Sequence, residues 1–283
     1  MIFIDYPGFN LRIAEFAKKN NFRTFYYISP KIWAWKQSRA KKIKKFIDKM
    51  FVIFPFEIDF YKKFNFEAIY SGNPNVDVIE RRKAENLNRE QFLQKNNISD
   101  KKIIALLAGS RKQEVKRLLP EILEVTAYFE DYTFVVAGIS SLNKEFYASY
   151  ENYKNVKLVI DQTYNLLEHS EAAIVTSGTA TLETALFNIP QVVCYKTEPL
   201  FYIIAKLILK IEYISLVNIL LNKKSVEEVI QKNISERIKN ELTKILSNPD
   251  HKQQMLNDYE NLKKLRGEKG SPEKTAKIIV DSL

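Results

Sequence analysis

Short apolar runs alternate along this chain with stretches in which apolar residues recur at helical spacing. The runs at Met1–Ile4, Thr24–Ile28, Lys49–Phe54 and Ala68–Tyr70 read as strands. Helical patterns at 11–20, 36–49 and 55–64 separate them, and the series ends in the turn Ser71-Gly72-Asn73-Pro74. A hydrophilic stretch over 78–100, with one helical patch at 88–94, predicts a connection. A second series opens at Lys102–Leu107 and continues with strands at Tyr132–Ala137, Val156–Ile160, Ala172–Val175 and Gln191–Tyr195. From Ser235 onward the pattern is helical, with Ser271-Pro272 read as cap and first residue of the last helix. Strands alternating with helices predict α/β architecture with parallel sheets.

Composition narrows the class. With 283 residues, 46% of them hydrophobic and 28% charged, the chain has the balance of a globular protein large enough for two domains. Its single cysteine, Cys194, excludes an internal disulfide and lies in the apolar run Val192-Val193-Cys194-Tyr195, where a buried structural thiol is expected. Two histidines and no cysteine cluster give no metal signature, and no cofactor is expected.

A formal charge of +10 points to an anionic partner: nucleic acid, an anionic membrane or a phosphorylated substrate. Its densest run, from Lys36 to Lys49, places Ala40, Ile43 and Ile47 on one helical side; a solvated lysine-rich face fits the same pattern. No RNA-recognition aromatic signature or zinc finger accompanies it, so nucleic acid is not expected. The segment Pro199–Leu221 is broken by Lys206, Lys210 and Glu212, which excludes a transmembrane span. Its apolar residues with a narrow basic stripe suit either the core or a lipid surface.

Three turns carry candidate chemistry. In Ala172–Glu183 an apolar strand runs through Ser177-Gly178 into a helix beginning at Thr179, so unpaired N–H groups and the positive helix end face the strand's carboxyl end. Glu183 falls on the same helix face one turn further in. A diphosphate on the turn with a sugar hydroxyl on Glu183 suggests a nucleotide-sugar; a capped βα turn with a solvated Glu is the plainer alternative. Gly109-Ser110-Arg111 repeats the arrangement after Lys102–Leu107, with Arg111 able to contact phosphate or to pair with Glu114. Asp5, beyond the first strand, is placed either as a general base or as ordinary turn chemistry before Pro7-Gly8, and Asn10 as a helix cap. Asn218 and the pair Glu228 and Gln231 read alone as exposed polar positions.

Taken together these residues resemble the lipid-A-disaccharide synthases, inverting glycosyltransferases of the GT-B type. The resemblance spans the chain and rests on Asp5-x-Pro7-x-Phe9-Asn10, Ser29-Pro30-Lys31-Ile32-Trp33-Ala34-Trp35, Phe54-Pro55-Phe56-Glu57, Gly109-Ser110-Arg111-x-x-Glu114-Val115, Ser177–Glu183 and Tyr213–Asn218. It implies two Rossmann-like domains: the remainder of an acceptor-side domain over 1–79, a linker over 80–100, a UDP-sugar domain over 101–234 and C-terminal helices over 235–283 that return to the first domain. It further implies condensation of UDP-2,3-diacylglucosamine with 2,3-diacylglucosamine 1-phosphate, giving a β-1,6-linked disaccharide 1-phosphate and UDP. By the same resemblance Asp5 is the base, Arg111 and Ser177-Gly178-Thr179 hold the diphosphate, and Glu183 holds the ribose. Asn218 and Gln231 match further donor-side positions. A cytoplasmic enzyme peripheral to the anionic inner membrane is implied, with the basic helix and the 199–209 segment as docking elements.

The chain also departs from the family pattern. Gly8 and Val217 stand where many members carry Asp and Pro, and the family's leading portion, with its Gly-Glu-x-Ser-Gly-Asp-type turn, has no counterpart here. The chain is therefore expected to be a fragment or mis-started product with a truncated first domain and weakened acceptor binding. A UDP-binding but catalytically impaired remnant, or another UDP-sugar enzyme of the same fold such as a 2-epimerase or an undecaprenyl-linked N-acetylglucosaminyl transferase, are the alternatives.

Overall fold

The computed structural model describes residues 1–33, 37–84, 87–199, 202, 212–265, 267 and 269–283. Its described residues form two compact units. The first comprises the described residues of 1–80 and 264–283, the second those of 81–202 and 212–263.

In the first unit β1 (Ile2–Ile4), β2 (Phe25–Tyr27), β3 (Lys49–Val52) and β4 (Ala68–Tyr70) pair in parallel in that order. Helices α1 (Pro7–Lys19), α2 (Arg39–Phe46) and α3 (Phe56–Lys62) make the crossovers, followed by α4 (Pro74–Ala84). Pro7 explains why α1 begins earlier than the apolar period suggests: its fixed φ and absent N–H suit the first helical turn. Asn10 consequently lies inside α1 rather than capping it, and its Nδ2 donates to the carbonyls of Ile4 (3.0 Å) and Asp5 (2.7 Å). One core joins Phe3, Leu11, Ala14, Tyr26, Ile43, Met50 and Tyr61. β1 is an edge strand, and Ile2, Ile4, Phe9 and Phe16 beside it are more than half exposed.

The second unit has a six-stranded parallel sheet in the order β10-β9-β8-β5-β6-β7. Its strands are β5 (Lys102–Leu107), β6 (Tyr132–Gly138), β7 (Val156–Ile160), β8 (Ser170–Thr176), β9 (Gln191–Tyr195) and β10 (Glu228–Ile230). The central strands are buried on both faces, which is why they read as unbroken apolar runs rather than alternating ones. Helices α5 (Arg89–Asn96), α6 (Lys112–Val125), α7 (Thr163–Glu168), α8 (Thr179–Leu186), α9 (Leu216–Leu221), α10 (Ile234–Ser247) and α11 (Pro249–Leu265) flank it. α5 opens with a capping box of Asn88 and Gln91, so the hydrophilic 80–100 stretch carries regular structure.

The C-terminal helices divide between the units instead of returning together. α10 and all but the end of α11 belong to the second, where Tyr259 and Met255 meet Gln191. The last helix, α12 (Ser271–Val280), belongs to the first. Asp77 accepts the N–H of Gly270 (2.5 Å) and Ser271 (3.3 Å) at its start, placing negative charge at the positive helix end. Ile279 packs with Phe25 and Phe51.

Candidate functional site

The sheet order of the second unit decides where a ligand sits. Going out from β5, the chain winds one way through β6 and β7 and the other way through β8, β9 and β10, so the order reverses between β5 and β8. A crevice outside the carboxyl ends of the strands opens at such a reversal. Leu107 is in register with Val175, so the turns Gly109-Ser110-Arg111 and Ser177-Gly178 leave the sheet side by side.

The two turns are not equivalent. At the first, Gly109 has φ +113, and a Cβ there would lie 2.7 Å from both Cβ and Oε2 of Glu114, so backbone and packing alike require glycine. Glu114 folds under the turn and accepts the N–H groups of Ser110 and Arg111, each at 3.2 Å, and Nη1 of Arg111 at 2.9 Å. Glu114 thus takes two backbone donors of the turn and one guanidinium nitrogen, while the Arg111 side chain stays 82% exposed. At the second turn Gly178 and Thr179 are exposed, and the space where a Gly178 Cβ would stand is open. Helix α8 starts there, and the first N–H groups of a helix have no intrahelical partner of the i to i−4 kind.

Ser177 is fixed on both sides: its N–H donates to Cys194 O (3.0 Å) and its hydroxyl to Ile214 O (2.8 Å). The 213–218 segment is itself held from below. Glu228 accepts the N–H groups of Ile214 and Ser215, both at 2.9 Å. Asn218 is fully buried, donating to Val226 O and Glu228 and accepting the N–H groups of Ser225 and Val226. Its amide is wholly committed to the fold, so it shapes the segment against Ser177 rather than facing a ligand. Gln231 does the same for the loop after β9, with Oε1 accepting Thr197 N–H at 2.6 Å and Nε2 donating to Thr197 O at 3.1 Å. Cys194 is fully buried, and burial pushes its thiol up to about 12.

Glu183 borders a cavity of about 350 Å³ in the second unit, within the size range of small-molecule sites, together with Arg82, Asp161, Gln162 and Tyr164. Burial holds its carboxyl above the usual range, and a hydrogen bond with Tyr164 opposes that rise. The Tyr164 ring in turn stacks on Phe187 at 5.5 Å between centroids. Tyr164 has no motif to announce it; only the fold brings it to Glu183.

Asp5 belongs to the first unit. It sits at the carboxyl end of β1 with φ +44, its N–H donating to Tyr27 O (3.0 Å) and its carbonyl accepting the Tyr26 hydroxyl (2.5 Å). Its backbone is thus held on three sides, including Asn10, leaving the carboxylate to the loop cluster. That cluster contains a group the sequence did not single out for a role. Glu57 is buried, accepts the Ser29 hydroxyl and the N–H groups of Ile53 (3.2 Å) and Phe54 (3.0 Å), and is pushed up to about 7 by burial against those bonds. Lys31 has its ammonium lowered by desolvation, while Asp5 and Glu57 oppose the change. Of the Trp33–Trp35 segment Trp33 alone is described, set edge-on to Phe56 at 5.2 Å. The 199–209 segment lies outside the described residues except for Pro199 and Tyr202.

Two parallel α/β units, one with a dinucleotide-type strand order, define a GT-B-like protein, and solved structures share the fold. UDP-GlcNAc 2-epimerase from Neisseria meningitidis bound to UDP-GlcNAc aligns with TM-score 0.66 at 16% identity over 99% of this chain and 75% of that one. Anabaena Alr3699/HepE in complex with UDP-glucose aligns with TM-score 0.58 at 10% identity over 100% and 79%. The sequence narrows the class. The lipid-A-disaccharide synthetase (LpxB) family model matches residues 1–280. Lipid-A-disaccharide synthase of Persephonella marina is 35% identical over 294 residues, 99% of this chain and 76% of the relative. That of Acinetobacter baylyi is 37% identical over 290 residues, 93% and 70%. The chain belongs to the lipid-A-disaccharide synthase family, glycosyltransferases of lipid A biosynthesis.

Proposed function

We propose that the chain transfers diacylglucosamine from UDP-2,3-diacylglucosamine to the 6-hydroxyl of 2,3-diacylglucosamine 1-phosphate, releasing UDP. The observation that carries this reading is the pair of turns at the β5–β8 reversal: open α8 amides on one strand, the exposed Arg111 guanidinium on the next. The donor's diphosphate lies there and its ribose hydroxyls meet Glu183. Asp5 takes the proton from the attacking hydroxyl while the anomeric carbon–oxygen bond to UDP breaks. Negative charge grows on the departing diphosphate, where fixed amides and a guanidinium stabilise it more than they stabilise the bound substrate. Asn218 and Gln231 support the donor side indirectly, through the loops they tie down.

Titration calorimetry of the full chain with UDP tests the donor half. One molecule of UDP binds, and Arg111→Ala weakens it about tenfold, in keeping with loss of one exposed charge-assisted contact. Unchanged affinity in that variant would remove Arg111 from the site.

The same reading places the enzyme against an anionic membrane. Support comes from α2, where Ala40, Ile43 and Phe46 are buried and Lys41, Lys42, Lys44 and Lys45 are exposed on the outer face. Among the described residues no helix is long and apolar enough to cross a membrane. Each such cation contributes about 1 kcal/mol near an anionic surface. Flotation with vesicles containing anionic lipid is expected at low salt and is lost when these four lysines become glutamates. Flotation insensitive to both salt and these changes would reject docking through α2.

A further inference from the structure

We propose that Glu57 is a positioning residue of the transfer site: its carboxylate ties the loops after β2 and β3 together and so sets the loop that carries Lys31, with a negative charge facing that lysine. The inference rests on the reading of Asp5 as the base.

Three observations carry it. The first is connectivity. Glu57, in the first turn of α3, accepts two N–H groups of its own loop, those of Ile53 and Phe54, with one carboxylate oxygen and the Ser29 hydroxyl with the other. One side chain thus joins the carboxyl ends of two neighbouring strands. The second is backbone conformation. Ile28, next to Ser29, has φ +62, a left-handed conformation that a β-branched residue adopts only when its surroundings impose it. The Ser29–Glu57 bond is a restraint that holds this loop, and Lys31 is carried on it.

The third observation is electrostatic. Lys31 feels both Asp5 and Glu57, and these two carboxylates oppose the desolvation that disfavours its charge. The groups facing Glu57 are Ser29 and Lys31 from the β2 loop, the Ile53 and Phe54 amides from the β3 loop, and Tyr61 from α3, whose phenol is raised by burial and then by Glu57's charge. Lys31 is the one cation in that set. A carboxylate meant only to tie loops together is costly in such a place, since neutral Gln could keep the two amides on its oxygen and turn its NH2 to the Ser29 hydroxyl without a buried charge. The charge has a use if Lys31 must stay protonated to anchor the anionic acceptor near Asp5. The retention of a group that costs stability is what a functional site shows.

Glu57→Gln keeps the size and one of the two acceptor oxygens and removes the charge; Ser29→Ala removes one donor and leaves the charge. The first readout needs no turnover: the rate at which an amine-reactive acetylating reagent modifies Lys31, followed by peptide mass spectrometry of the full-length chain at pH 7–8. Glu57→Gln should raise that rate at least threefold, because the neutral amine gains population once the nearby negative charge is gone. The second readout is disaccharide formation. In the wild type kcat/KM falls on the acid side of neutrality as Glu57 takes up a proton. Glu57→Gln should lose that limb and run at least tenfold below the wild-type plateau, and Ser29→Ala should move the limb to higher pH. An unchanged Lys31 rate in Glu57→Gln overturns the proposal, whatever the activity. So does an acid limb that stays in place in both variants. A wild-type chain that makes no disaccharide, together with accelerated Lys31 labelling in Glu57→Gln, would keep the Glu57–Lys31 coupling and reject the proposed reaction instead.

Discussion

Asp5→Asn lowers disaccharide formation by about 10²–10⁴-fold, the range expected when a positioned general base is lost. UDP binding is expected to stay within a factor of two of wild type, because Asp5 belongs to the first unit and the β5–β8 turns to the second. The substitution is close to isosteric, and the Asp5 contacts that order the backbone run through its own N–H and carbonyl, which Asn retains. Steady-state formation of labelled disaccharide, with UDP calorimetry on the same preparation, checks both halves. A loss of both together would mean that the substitution disturbs the fold rather than the chemistry.

Glu57→Gln is expected to make the first unit more stable at pH 8 while leaving it nearly unchanged at pH 4. The sign follows from proton uptake. Burial raises the folded-state carboxyl from 4.5 to about 7, so between these values the native state holds a proton that the unfolded chain has released. Stability therefore falls as pH rises from about 4.5 to 7 and is level above that, with a total loss of about 3 kcal/mol. Gln does not titrate and escapes the loss. Both tryptophans, Trp33 and Trp35, lie in the first eighty residues, so urea denaturation followed by their fluorescence reports on this unit. A pH-independent difference between variant and wild type would show that the three donors offset burial and leave the Glu57 carboxyl at its ordinary value.

Where local sequence determines local structure, the elements are legible along the chain. The apolar runs at Lys102–Leu107 and Ala172–Val175, each followed by small residues and a helical period, marked the two turns that the sheet reversal brings together. The pairing of Arg111 with Glu114 was likewise visible, because residues three apart on a helix start face one another. What the Glu114 carboxylate does to the Ser110 and Arg111 amides was not visible, since it depends on the glycine conformation at Gly109. Asn218 shows the limit more plainly. A buried amide can serve a ligand or the backbone with the same chemistry, and only the packing of Val226 and Glu228 around it reveals that its capacity is spent. Glu57 was legible as part of a motif and not as a polar hub, because its partner Ser29 lies on a different strand loop. The three-residue strand Glu228–Ile230 left too short a signal against the helical stretch that follows.

One reaction defines the proposed enzyme. Purified full-length chain mixed with UDP-2,3-diacylglucosamine and 2,3-diacylglucosamine 1-phosphate should release one UDP for each disaccharide 1-phosphate formed, and none when the acceptor is omitted. UDP release that proceeds equally without acceptor, or no disaccharide under conditions where UDP binds, would contradict it.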